Sequence, residues 1–193
     1  SFEIFNNNLK SRFVNIENFD LQIKDINLKK INYLRELSTK AYISDNLKQN
    51  NDLSRLRKDT WVPAKLSNGK KIYDVKVRLK GQSTDHWGDK FSLRVKVKNN
   101  QTINGMSEFN LQHPKTRGYL NEFLFHKLLN YSNLISLRTN YINFSINSDN
   151  ESIFNIEETF SKELIENNKR REGIIFRIND DKILQIVNKT NNK

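Results

Sequence analysis

The sequence predicts an α+β fold, a twisted antiparallel sheet packed against a central helix, and three observations carry that expectation. Short segments of alternating apolar and polar residues recur along the chain between Asn-Gly and Asn-Asn turn signals. One amphipathic helical stretch follows the fourth or fifth of them. The strands do not alternate regularly with helices, as a doubly wound parallel sheet requires.

Residues 1–20 hold no sustained period and read as an arm, and Leu21 to Ile26 as a strand. Ile31, Leu34, Leu37 and Ala41 recur at helical spacing, which predicts a helix from about Leu28 to Tyr42. Asp45 to Asp59 is a polar connector or short helix. A strand at Trp61 to Leu66 then turns through Ser67-Asn68-Gly69-Lys70 into Lys71 to Lys80, because Asn-Gly supplies the positive φ angles of a tight hairpin. Leu93 to Lys98 and Ser107 to Gln112 are the next strands, and His113-Pro114 breaks the chain. Thr116 is placed to cap a helix carrying Leu120, Phe123, Leu124, Leu128 and Tyr131 to about Asn130. Asn140 to Ile146 and Ser152 to Glu157 form a strand pair joined by Asn147-Ser148-Asp149-Asn150. Phe160, Leu164 and Ile165 mark a helix ended by Lys169-Arg170-Arg171 and Gly173. Ile174 to Ile178 and Ile183 to Val187 are the last predicted strands. The chain accordingly divides into residues 1–59, an arm with one strand and one helix, and residues 60–193, the main body.

Two of these strands carry the chemistry. Side chains alternate between the faces of a strand, so Lys76, Arg78 and Lys80 share one face with Val75, Val77 and Leu79 behind them. Arg94, Lys96 and Lys98 likewise stand opposite Leu93, Val95 and Val97. Pairing the two strands crowds six like charges, a strain that an anion relieves. The same cations also suit an ordinary solvated sheet face. The connector opens with Gly81-Gln82-Ser83-Thr84, whose backbone N–H and hydroxyl groups can cradle a phosphate or simply make a turn.

Composition narrows the chemistry further. The 193 residues suffice for one domain with a core, and the formal charge of +11 is uneven. Nine Lys or Arg stand against Asp74, Asp85 and Asp89 between Lys70 and Lys98, a field that attracts nucleotide, nucleic acid or another anionic partner. The chain has no cysteine, which excludes disulfides, thiolate nucleophiles and Cys-based metal sites. His86, His113 and His126 are scattered; Glu122 and His126, one helical turn apart, are two ligands and not a site, so no metal is assigned. No apolar run reaches the length of a membrane span. Ser1-Phe2-Glu3 lacks an initiator Met and a signal-peptide pattern, as expected of a segment trimmed from a longer bacterial-type protein.

Three stretches together resemble one family. Arg78-Leu79-Lys80-Gly81-Gln82-Ser83-Thr84 followed by Lys90-Phe91-Ser92-Leu93-Arg94-Val95-Lys96 is similar to the R-G-x-S … K-x-S-x-R-x-K core of the spore-coat CotH kinase-like family. Phe109 to Arg117 leading to Glu122 resembles its segment entering the first helix. Ile153 to Glu158, with Asn167 to Gly173, resembles its G-x-Y-x-x-x-E strand and the segment after that strand. The family's Gly before the aromatic is Ser152 here. The resemblance covers about Val75 to Arg177.

It implies the N-terminal lobe of an atypical protein kinase, with residues 60–193 as that lobe and the start of the inter-lobe connection, and the second lobe absent. It also implies binding of ATP with Mg2+ or Mn2+, and phosphorylation of Ser or Thr on secreted or surface proteins, at an extracytoplasmic or cell or spore surface location. The implied nucleotide site comprises Arg78, Lys80, Gly81, Ser83, Thr84, Arg94, Lys96, Glu122, Glu157 and Glu158. In it Gly81 to Thr84 lie near the phosphates, Arg94 or Lys96 is the strand cation reaching them, Glu122 orients that cation, and Glu157 and Glu158 lie beside the adenine. The family's metal-binding and catalytic carboxylates belong to the second lobe, so the segment alone is expected to be inactive. The rival readings are a non-catalytic basic module for nucleic acid or another polyanion, and a degenerate protein-binding scaffold. Against the first, aliphatic residues rather than aromatic platforms alternate with the cations.

Overall fold

The computed structural model describes residues 16–43, 56–81 and 91–176. Seven strands close into a barrel in the order β1-β2-β3-β4-β5-β7-β6 and back to β1. They are β1 (Asn18–Gln22), β2 (Val62–Ser67), β3 (Ile72–Leu79), β4 (Leu93–Val97), β5 (Glu108–Gln112), β6 (Thr139–Ile146) and β7 (Asp149–Glu158). Helix α1 (Asp25–Ile43) links β1 to the β2 side, a 3-10 turn (Pro114–Arg117) and α2 (Asn121–Tyr131) lie between β5 and β6, and α3 (Lys162–Asn167) follows β7.

This corrects the expected twisted antiparallel sheet packed against a central helix in the manner of a kinase N-terminal lobe. Every pairing is antiparallel except the seam, where β1 runs parallel to β6 with Asn18 opposite Asn143 and Leu21 opposite Ile146. Closure turns the apolar faces of the strands onto one another, so Phe19, Leu21, Leu66, Val77, Val95, Phe109, Ile142 and Phe144 bury themselves in a single core. The helix expected to cover that face has no buried residue and leaves Leu120, Leu124, Phe125, Leu128 and Tyr131 exposed. Ile31 and Leu34 of α1 do join the core, so that helix closes one end of the barrel.

Side-chain hydrogen bonds lock the seam. Asn147 and Ser148 turn β6 into β7 at φ 54° and 62°, a positive-φ pair suited to a tight hairpin. The Asn147 side chain accepts from the Ile23 backbone N–H at 2.8 Å and donates to the Ile23 carbonyl at 3.1 Å. Asp20 accepts from the Ser145 hydroxyl at 2.6 Å and the Ser148 backbone N–H at 2.8 Å. The hairpin is thereby fastened to the end of β1.

Local expectations fare differently from the architecture. The Asn68-Gly69 hairpin forms, with Asn68 Oδ1 accepting from the backbone N–H groups of Lys70 and Lys71. Thr116, however, does not cap α2: it sits inside the 3-10 turn, its hydroxyl donates to the His113 carbonyl at 2.8 Å, and His113 Nδ1 caps the turn instead. The helix near Leu164 stops at Asn167, before the cations, and residues 174–176 form no strand. The predicted strand at Ile183 to Val187 lies outside the described residues.

Candidate functional site

The cationic strands pair in the register that brings their charges face to face. Lys76 stands opposite Lys96 and Arg78 opposite Arg94, while Val75, Val77 and Leu79 meet Val97, Val95 and Leu93 inside the barrel. The outward residues continue as a cross-strand row, Arg78, Arg94, Asn110, Glu157 and Thr139. A second row runs beside it through Lys80, whose N–H bonds the Ser92 carbonyl, to Gln112, Asn155 and Tyr141.

The like charges are held apart by neighbouring partners. Arg94 Nε donates to Asn110 Oδ1 at 3.1 Å and its guanidinium lies 3.5 Å from Glu108. Arg78 stacks over Trp61, 5.0 Å from the ring centroid, and donates to the Leu79 carbonyl. Burial, and then the Arg94 charge, lower the Arg78 pKa from its ordinary value. Lys80 Nζ donates to Gln112 Oε1 at 2.8 Å. Lys76 and Lys96 are exposed and form no ion pair with a described residue.

The second half of the lattice is acidic. The 3-10 turn carries Arg117 over the sheet, where its Nε lies 3.0 Å from Glu122 and 3.4 Å from Glu157. Asn110 donates to Glu157 at 3.1 Å, which links the acidic half to Arg94. Glu122, one turn before His126 on α2, lies 3.9 Å from its Nε2, while His126 Nδ1 accepts from the Leu137 N–H. Burial and the neighbouring Glu157 charge raise the Glu122 pKa, against the pull of Arg117 and Lys80. Burial lowers the His126 pKa.

The structure therefore gathers Arg78, Lys80, Arg94, Glu122 and Glu157 into one surface, with Lys96 one alternation further along β4. Gly81 follows at the exposed end of β3 with φ 105°, a backbone conformation that side chains disfavour. Ser83 and Thr84 lie outside the described residues. Glu122 is engaged by Arg117 and His126 and not by Arg94 or Lys96. Glu157 and Glu158, adjacent in sequence, face opposite ways: Glu158 is in register with the inward Phe109 and pairs with Arg138 at the barrel rim. Asn110, Gln112 and Arg117 were not among the expected site residues. The only signal for the first two was Asn and Gln alternating with Phe109 and Leu111, which reads as an ordinary wet face.

A family model described as CotH kinase protein matches residues 77–193. The chain belongs to the CotH kinase family. No curated protein matches it. The matched region begins within β3, so the CotH-family segment completes its barrel with β1 and β2 from outside the match. Every residue of both lattice rows lies inside it.

The acidic half of this CotH lattice predicts a pH signature. Because the folded-state pKa of Glu122 stands above the ordinary 4.5, the folded protein keeps a proton that the unfolded chain has released. The associated stability is complete below pH 4.5 and is lost as pH rises through the raised value. Glu122→Gln removes that loss. Urea denaturation of parent and variant from pH 4 to 8 should show the variant gaining on the parent as pH rises; a difference that is flat or falls with pH contradicts it.

Proposed function

We propose that the outward lattice binds the phosphates of ATP, as the nucleotide-binding part of a kinase that phosphorylates Ser or Thr on secreted or surface proteins at a cell or spore surface. One observation carries the reading. Arg78 Nε, Gln112 Nε2 and Ser92 Oγ are buried with no hydrogen-bond partner among the described residues, and all three belong to outward positions around Lys80. Two of these can only donate, and buried donors left unpaired are costly. A phosphate accepts from several donors at once, and phosphoryl transfer needs such charge neutralisation above all. Lys80 is the cation best placed to reach it, because Gln112 and the nearby Glu122 charge orient it.

The described residues fit phosphate better than they fit Mg2+ or Mn2+. Among them no three His, Asp or Glu side chains converge as a metal site, and Glu122 and Glu157 are both engaged by Arg117. No step is assigned to a metal here.

Calorimetric titration with ATP tests the reading. Lys80→Ala should weaken binding about ten- to a hundredfold, the loss of a charge-assisted hydrogen bond worth roughly 1.5 to 3 kcal/mol. Lys71→Ala, just before the far end of β3, should change it little. The exposed Lys76 and Lys96 favour a second reading, in which the face attracts nucleic acid or another polyanion through diffuse charge. If Lys76→Ala weakens ATP as much as Lys80→Ala, and heparin binds more tightly than ATP with a steep salt dependence, that reading replaces the first.

A further inference from the structure

A cleft of about 620 Å³ opens at the end of the barrel that α1 closes, on the opposite side of β7 from the phosphate-facing lattice. Its floor is aromatic. Phe144 and Phe154 meet edge to face at 4.9 Å between centroids and are 2% and 4% exposed, and Phe91 joins them. One helical face of α1 forms a wall with Leu28, Asn32 and Arg35. The β6–β7 hairpin forms the other and brings Asp149 and Glu151 to the rim, both exposed. Concave sites of this size, with an aromatic floor and polar groups around it, are common ligand sites.

Three features define what the cleft takes. The Phe floor suits a flat ring. Asn32 Oδ1 is buried at the wall and accepts no hydrogen bond from a described residue, so the ring should carry an N–H or O–H. Two carboxylates at the rim, in a chain of formal charge +11, select a cation. Among the described lining residues Arg35 is the one basic residue, and its guanidinium lies over the Phe91 ring at 4.8 Å. We propose that this cleft is a binding site for a small aromatic amine, its ring on Phe144 and Phe154, its ring donor on Asn32 and its ammonium at Asp149 and Glu151.

Tryptamine is the probe, titrated into the full chain without nucleotide and followed by ligand-observed NMR. Saturable binding is expected with a dissociation constant at or below about 1 mM, and at least about fivefold weaker binding of indole-3-acetate, which reverses the charge. Asp149→Asn with Glu151→Gln, two exposed isosteric changes that leave the core untouched, should weaken tryptamine by at least about fivefold. Asn32→Leu should do the same for tryptamine and not for phenethylamine, which has no ring donor. Lys80→Ala should leave tryptamine binding unchanged, so loss of the ATP site and loss of this one are separately visible. No saturation by about 10 mM, indole-3-acetate binding within fivefold of tryptamine, or less than fivefold change in the rim variant overturns the proposal.

Discussion

Leu21→Ala should cost about 2 to 5 kcal/mol in unfolding free energy, whereas Leu124→Ala should change it by no more than about 0.5 kcal/mol. Leu21 is 1% exposed on β1, between Leu66 of β2 and Ile146 of β6, where the parallel seam closes the barrel. Truncation there leaves a cavity at the one junction joining the first strand to the sixth. Leu124, on α2, is 57% exposed, and alanine is at least as good a helix former. Urea denaturation of the two variants compares the architectures directly. A sheet that buried its apolar face against α2 would reverse the order, with Leu124 the costly position.

That contrast also marks how far the sequence could be read. Val75 to Leu79 and Leu93 to Val97 were legible because alternation is a local signal; Asn68-Gly69 fixes the register of β2 on β3, and the apolar sides of β3 and β4 must both face the core. That the cations of both strands share one face was therefore visible in advance, while the pairing of Arg78 with Arg94 was not. The seam was not: Asn18–Gln22 finds its parallel partner more than a hundred residues away, and no turn chemistry announces such a pair. The apolar stripe of α2 resembled a core-facing helix because periodicity reports an apolar side without saying what covers it. In the candidate site, sequence supplied the cations, Glu122 and Glu157 but not the residues that link them. Arg117 reaches Glu122 and Glu157 only because a 3-10 turn capped by His113 carries it over β7, and Asn110 looks like any outward strand residue until Arg94 and Glu157 are seen on either side of it.

At the barrel rim, Glu158→Gln should cost about 3 kcal/mol, because it uncouples a buried carboxylate from a guanidinium folded around it. Glu158 is 1% exposed and accepts from the Arg138 backbone N–H and Nε, each at 3.1 Å, and also from Nη2. Glutamine keeps one acceptor but turns an amide against the guanidinium. Arg138, with a quarter of its side chain exposed, can recover some hydration, which sets the cost toward the lower end for a broken buried pair. Gly105 supports the same arrangement from the other side. Asn104 and Gly105 form a tight turn between Ile103 and Met106 at φ 51° and 75°, the Asn104 carbonyl accepts from Arg138 Nη1, and a Cβ on Gly105 would overlap that nitrogen. Gly105→Ala should therefore cost about 1 to 3 kcal/mol through positive-φ strain and displacement of Arg138. Because both changes act through one guanidinium, their effects should not add: in the Glu158→Gln background, where Arg138 is already released, Gly105→Ala should cost at least about 0.5 kcal/mol less. Chemical denaturation of the two single variants and the double variant measures this. Additivity within about 0.3 kcal/mol would mean that Gly105 answers only to its own backbone, and that the rim is held by the Glu158 pair without help from the turn.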